Sequence, residues 1–467
     1  MNIIKKIAKN SSIIILGNIV DTICNIIISV SLARYFGQSG FGKLSFLAIF
    51  FFFLASADNQ WIRPILVREM SKDEKNCPYI IGNGLIIKGL ISLLAIIFFW
   101  FTIWTLKAPT EIVTLAFFTS IGLLIASIIS SYETIFQIKL KMFYFVNFNL
   151  LNKILLLILI YIVAVWKGGL FLFYLLSLLP SIILLLQVKH YSEKIIRPRF
   201  EIDFAIWRKI FKESWPLGLS AFFIFIYHRI DQIIIFHLKG PDKVGLYSVA
   251  VRLVESFNIV PIALMASVLP LMSQYYELSK NDFERIYQLS FKYLLIFIIP
   301  VASYISIYSD NIVSLFYGKG FLLSGSALRI LIWAEVFVFL GVVNNSILIA
   351  ANKQKIDSIF TGTSAFVNIV LNLVLIPKYG IVGAAIASLV SYSIGPIMGY
   401  FIPLTKAYSR CMLYYSMRPI LVSLLVFSFI YYSRFSFLTS LIIAPLIYLL
   451  VMYFIKGIDG DDIYQLN

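Results

Sequence analysis

Apolar runs of about twenty residues, broken by short polar clusters, follow one another along almost the whole chain. On a helix such a run crosses the roughly 30 Å of hydrocarbon in a bilayer. Fourteen runs can be marked out. Seven lie at 12–34, 42–66, 80–105, 112–136, 146–166, 169–188 and 215–238, and seven more at 246–271, 288–308, 327–350, 357–377, 381–403, 412–432 and 436–455. The pattern predicts an all-α polytopic membrane protein with about 14 transmembrane helices. Only "WKGG" (166–169) and "PKYG" (377–380) separate two pairs of runs, so tight antiparallel hairpins are expected over 146–188 and 357–403. The first run is too long for a signal-peptide core and ends in no small-residue cleavage site, so it is expected to stay as a helix. No segment between runs is long enough to fold as a soluble domain.

Composition sharpens this picture. Of 467 residues, 60% are hydrophobic and 13% charged, against about 25% charged in an ordinary soluble domain. The three cysteines, Cys24, Cys77 and Cys411, form no spaced cluster and suit neither a disulfide framework nor a zinc site. Lysine and arginine fall more than twice as often on the side of the N-terminus as on the opposite side, which places both termini in the cytoplasm. The net charge of +16 is therefore accounted for by cytoplasmic loops facing anionic lipid, and no nucleic-acid partner is called for. No G-x-x-x-x-G-K-[ST] loop occurs, which argues against an intrinsic ATPase.

The chain repeats itself weakly. "LARYFGQSGFGKLSF" (32–46) and "IFHLKGPDKVGLYSV" (235–249) align so that Gly37 matches Gly240, Gly42 matches Gly245 and Ser45 matches Ser248. Residues 1–188 supply six runs and 215–403 six more, split by the basic segment that includes "KIIRPRFEIDFAIWRK". The expected organisation is an N-terminal lobe at 1–188, a basic cytoplasmic linker at 189–214, a C-terminal lobe at 215–405, and two further helices with a cytoplasmic tail at 406–467. Two six-helix lobes with an even number of spans each are related by a pseudo-two-fold axis along the membrane normal, an arrangement that works by rocking around a shared site. The last two helices either form a groove for a lipid tail or pad the bundle.

The stretches "ANKQKIDSIFTGTSAFVNIVLNLVLIPKYGIVGAAIASLVSYSIG" (351–395), "RIDQIIIFHLKGPDKVGLYSVAVRLVE" (229–255) and "LARYFGQSGFGKLSF" resemble the polysaccharide transporter family, the Wzx-type flippases of the multidrug/oligosaccharidyl-lipid/polysaccharide superfamily. The resemblance covers roughly residues 10 to 405 and departs from the family pattern at "ADNQW" (57–61). It implies a multi-pass protein of the bacterial inner membrane that moves undecaprenyl-diphosphate-linked oligosaccharide repeat units, such as O antigen, from the cytoplasmic to the periplasmic leaflet. It also implies a polysaccharide polymerase and a chain-length regulator as partners. A multidrug or small-solute antiporter on the same scaffold is the alternative. An enzyme would need an extramembrane catalytic domain that these loops do not supply.

A diphosphate headgroup cannot shed its water into hydrocarbon without a polar, cationic path. Arg63, Lys88 and Lys153 lie in runs of the first lobe, in the cytoplasmic half by the expected topology; Arg229 sits near mid-membrane and Arg252 in the outer half. These five are the candidate substrate-binding cations, since ionisable groups in spans usually face the bundle interior. Each also has a structural reading: helix-end snorkelling for Arg63, Lys88 and Lys153, an internal carboxylate pair for Arg229, and a same-face pair with Glu255 for Arg252. With no ATPase, an ion gradient is the expected driving force, with no cofactor and either H⁺ or Na⁺ as coupling ion. Asn18, Asp21 and Asn25 make one polar stripe that either lines a cavity or bonds a neighbouring helix. Asp231 is the other central acid; Asp58, Glu133 and Glu335 follow it. On a helix Arg229 and Asp231 point apart, whereas His228 and Asp231 share a face, so His228 either senses protons with Asp231 or is a satisfied interface residue. The candidate coupling residues are therefore Asp21, Asn25, His228, Asp231 and Glu255.

Overall fold

The computed structural model describes residues 3–57, 61–73, 75–401, 405–433, 435–455 and 457. Every regular element among them is helical. By contacts the chain resolves into two units, Met1–Gly245 and Leu246–Asn467.

The first unit contains α1 (Ile3–Ala57), α2 (Arg63–Lys72), α3 (Cys77–Thr105), α4 (Thr110–Ile138), α5 (Met142–Val165), α6 (Leu170–Glu193), α7 (Phe204–Lys239) and the first turn of α8 (Pro241–Glu255). α7 belongs to this unit because it packs on α1, α2 and α3. An apolar core at one end joins Leu66, Ile81, Tyr132, Ile135, Phe136 and Val188.

α1 is not one straight rod. Asp21 and Leu54 line the same cavity, yet on a straight helix they would stand about 50 Å apart at ~1.5 Å per residue. The reversal is at Gly37, where φ is 67° and ψ −171°, a region open only to glycine without strain. Gly240, its partner in the repeat, has the same unusual geometry, φ 80° and ψ 175°. The next matched pair brings the two turns together: a Cβ on Gly42 would stand 1.8 Å from the Pro241 carbonyl oxygen, and one on Gly245 2.1 Å from that of Gln38. The glycines recur because two backbones touch there.

Four hairpins close with a different device. Lys107, Leu140, Lys167 and Asn352 take positive φ after a helix end. The N–H of the following residue then donates five positions back, as from Gly168 to Val163 at 2.8 Å and from Lys353 to Leu348 at 2.8 Å. This is the Schellman closure, which satisfies carbonyls a helix end would strand. "WKGG" forms one of these turns, as its spacing led one to expect.

The second unit holds the rest of α8, α9 (Ile259–Leu278), α10 (Lys280–Ile307), α11 (Ser309–Tyr317), α12 (Ser324–Ala350), α13 (Gln354–Phe401), α14 (Lys406–Tyr432) and α15 (Phe437–Phe454). At "PKYG" helical hydrogen bonding runs on through α13 and only Gly380 leaves the helical region, at φ 59°. The two halves nevertheless fold back: Asn368 donates to Ser391 at 2.9 Å, whereas 23 residues of straight helix span about 35 Å. α14 packs on α10, and α15 on α14, through Ile296, Val422, Val426, Phe427 and Tyr448.

Twelve helices among the described residues are long and apolar enough to cross a membrane. Two of those segments, of 44 and 48 residues, are the folded-back α1 and α13. Large apolar side chains such as Leu94 and Phe101 on α3, Leu425 on α14 and Leu450 on α15 lie exposed, as lipid contact requires. The chain is a multi-pass membrane protein.

Candidate functional site

The polar stripe of α1 faces α5. Asp21 accepts hydrogen bonds from Asn25 at 2.8 Å and from Asn149 on α5 at 3.1 Å, and the Lys153 ammonium stands 3.2 Å from its Oδ1. Lys153 also donates to the Asn25 side-chain oxygen. Asn149 and Lys153 are four residues apart, so one face of α5 presents both.

Three other helices complete the wall. Arg63, at the start of α2, pairs with Glu133 on α4 at 2.8 Å. Lys88, buried on α3, donates to the Ser130 carbonyl at 3.3 Å, and the Ser127 hydroxyl donates to the Lys88 carbonyl at 3.1 Å. Buried serines at that crossing let α3 and α4 approach closely and give the ammonium an acceptor.

These groups enclose a cavity of about 610 Å³. Arg63, Lys88, Lys153, Asp21, Glu133 and Asn149 all line it, with apolar closure from Phe51, Leu54 and Ile91. Among the described residues three cations thus face two carboxylates, leaving one net positive charge in a largely apolar surround. Such a space can hold an anion with more than one oxygen: each ammonium or guanidinium is a charge-assisted donor, and apolar walls keep the local dielectric low.

Of the residues singled out in the sequence, Arg63, Lys88, Lys153 and Asp21 meet here, and Asn25 braces two of them. Glu133, ranked lower, is the Arg63 partner. Asn149 was missed, although its four-residue spacing from Lys153 is the same kind of signal that exposed the α1 stripe.

The remaining candidates lie elsewhere. Arg229 is buried at 8% exposure with its guanidinium carbon 4.1 Å from the centre of the Phe52 ring. His228 packs edge-on against Tyr227 and beside Phe52, at 5.0 and 5.9 Å between ring centres. Asp231 is buried at 3% exposure, and its Oδ1 accepts from the Gln232 backbone at 2.7 Å. None of these three lines the charged cavity. In the second unit Arg252 is exposed and Glu255 half-buried. Asp58 lies outside the described residues.

At one end of the unit, ion pairs tie α2 to α7. Arg68 bonds Glu69 at 2.9 Å and also pairs with Glu213, while Lys209 bonds Glu69. The Lys209 hydrogen bond, with Arg68 beside it, holds the Glu69 carboxyl below the usual carboxylate range. Nearby, buried Asn83 fastens the basic segment to α3: it donates to the Glu201 carbonyl at 2.9 Å and accepts from the Asp203 N–H at 3.0 Å and Trp207 Nε1 at 2.8 Å.

A family model described as polysaccharide biosynthesis protein matches residues 7–276, and a second, MatE, matches residues 216–374. The chain is 27% identical over 194 residues to a probable low-salt glycan biosynthesis flippase, Agl15, of Haloferax volcanii, covering 41% of each protein. It is 30% identical over 181 residues to the probable flippase AglR of the same organism, covering 37% of each. It is 26% identical over 158 residues to a putative O-antigen transporter of Shigella flexneri, covering 34% of this chain and 37% of that one. These matches span about two fifths of the relatives' own length.

Among solved structures, the lipid II flippase MurJ in an inward closed conformation superposes with a TM-score of 0.74 at 19% identity, covering 95% of this chain and 99% of that one. An inward-facing MATE family multidrug resistance transporter of the MOP superfamily gives 0.69 at 15% identity, covering 84% and 95%. The fold is the MOP fold.

Proposed function

The chain belongs to the family of polysaccharide biosynthesis proteins, whose model it matches over more than half its length; on that premise we propose that it is a flippase for undecaprenyl-diphosphate-linked oligosaccharides. In this reading it crosses the bacterial inner membrane fourteen times, with both termini in the cytoplasm, and carries its substrate to the periplasmic leaflet by alternating access. The observation that carries the reading is the charged cavity of the first unit, where Arg63, Lys88 and Lys153 outnumber Asp21 and Glu133.

The diphosphate replaces the two carboxylates as partner of the three cations. Its four or more oxygens offer each cation an acceptor, and charge-assisted bonds of this kind contribute about 1.5–3 kcal/mol apiece. A cavity built for organic cations would have the opposite balance, so the small-solute antiporter is the weaker reading. An ion gradient drives the cycle, with H⁺ or Na⁺ taken up as the displaced Asp21 carboxylate loses Lys153. No covalent step is assigned to the protein; polymerase and chain-length regulator act on the glycan after export.

The test is reconstitution. Proteoliposomes carrying a fluorescent prenyl-diphosphate oligosaccharide should show translocation that depends on an imposed H⁺ or Na⁺ gradient. The combined variant Arg63→Met, Lys88→Met, Lys153→Met should abolish it while remaining folded. Wild-type rates in that variant would overturn the reading, and an unchanged gradient response in Asp21→Asn would remove the proposed coupling.

A further inference from the structure

The charged cavity has an apolar annex. A crevice of about 370 Å³ lies between the first half of α1 and the beginning of α5, walled by Ile14, Val20, Phe145, Val146 and Leu150. Asp21, Glu133, Asn149 and Lys153 line both spaces, so the two are continuous across a charged rim. At the crevice's other edge stand Leu16 and Phe143, which are 62% and 54% exposed, so it opens on the apolar outer surface of the helices.

The two linings select one kind of molecule. Apart from the Asn18 and Asn147 amides the walls of the crevice are apolar, whereas the rim and the cavity beyond it demand negative charge. A ligand with a compact anionic head joined directly to a long hydrocarbon chain satisfies both at once. We propose that the crevice between α1 and α5 seats the isoprene units nearest the diphosphate of the lipid anchor, while the diphosphate lies among Arg63, Lys88 and Lys153. This rests on the flippase reading and adds to it the route by which the anchor leaves the cavity: sideways, between α1 and α5, into lipid. It gives the protein a means of telling a prenyl diphosphate from a free nucleotide-sugar or phosphate, because only the former gains from filling the annex.

The test compares head and tail on the full-length purified chain. Inorganic diphosphate probes the head alone, and farnesyl diphosphate adds three isoprene units. Wild-type protein should bind farnesyl diphosphate at least about tenfold more tightly. Val20→Trp fills the crevice and should erase most of that gain while leaving the inorganic diphosphate affinity unchanged; Leu150→Trp should do the same from the α5 side, with melting temperatures reported for both. A benzophenone side chain placed at Leu16 should cross-link farnesyl diphosphate in preference to a saturated phospholipid. Equal loss of both affinities in the folded tryptophan variants, no loss in either, or equal capture of the phospholipid overturns the crevice assignment. If wild-type protein binds inorganic diphosphate but farnesyl adds nothing, the crevice assignment alone falls. If it does not bind inorganic diphosphate, the flippase reading falls and the crevice assignment with it.

Discussion

Lys153→Met keeps most of the side chain's length and removes its charge. In the resting cavity the ammonium stands 3.2 Å from Asp21, with the two side chains 18% and 33% accessible. That places the pair between exposed pairs, worth about 0–1 kcal/mol, and buried ones, where stranding a partner costs roughly 3–5 kcal/mol. Asp21 retains its bonds from Asn25 and Asn149, so about 2 kcal/mol of destabilisation is expected. For a bound diphosphate the same change removes one charge-assisted contact, about 1.5–3 kcal/mol, or roughly a 10- to 150-fold rise in Kd. Adding Asp21→Asn separates the two effects. With no carboxylate left stranded, the melting temperature should return toward wild type, but no cation is restored and diphosphate affinity should stay low. Asp21→Asn alone leaves Lys153 without its competitor and should tighten binding. Titration calorimetry with inorganic diphosphate and thermal melting on the four proteins complete the cycle. If the double variant recovers wild-type affinity, Lys153 serves only as the counter-ion of Asp21 and the reasoning is refuted.

Gly42→Ala should be among the most damaging single-methyl changes in the chain, because its Cβ would lie 1.8 Å from a carbonyl oxygen; a loss of about 3 kcal/mol or more, read as a fall in melting temperature, is expected. Gly37→Ala carries no such clash and should cost only the backbone strain of its positive φ, about 1–3 kcal/mol. Asn83→Ala strands the Trp207 indole and the Asp203 N–H; at about 1–3 kcal/mol for each unpaired group, segment 194–203 should become markedly more sensitive to limited proteolysis. The Glu69 carboxyl is depressed in the folded protein, so its contribution is present above the unfolded value near ~4.3 and is lost as pH falls through the lower folded value. Melting temperature should therefore drop more steeply on acidification below about pH 4.3 in wild type than in Glu69→Gln.

The helices were legible because each apolar run is long, and "WKGG" as a turn because Lys167 and Gly168 suit a helix end. The reversals inside α1 and α13 were legible as the gaps between runs, at 35–41 and 378–380, although the turns at Gly37 and Gly380 are so tight that helical hydrogen bonding hardly breaks. Depth along a run identified Arg63, Lys88 and Lys153, but not that their three helices would be neighbours; that depends on contacts such as the serine crossing at Ser127. Arg229 shows the same limit from the other side: the Phe52 ring lies beneath its guanidinium, and a ring face leaves no trace among charged positions. Adjacency of α1 and α7, fixed by turns that meet at Gly42 and Gly245, is what supplied it.

That meeting of turns bears on how the protein can be taken apart. The basic segment after α6 is the obvious place to divide the chain, since it is polar, extended and between apolar runs. A fragment ending there would lack Pro241 and Gly245, which fill the space beside Gln38 and Gly42, and it would expose bare backbone at the first reversal. Split-protein complementation or segmental isotope labelling should instead place the junction beyond Gly245, so that the amino-terminal piece carries its own plug.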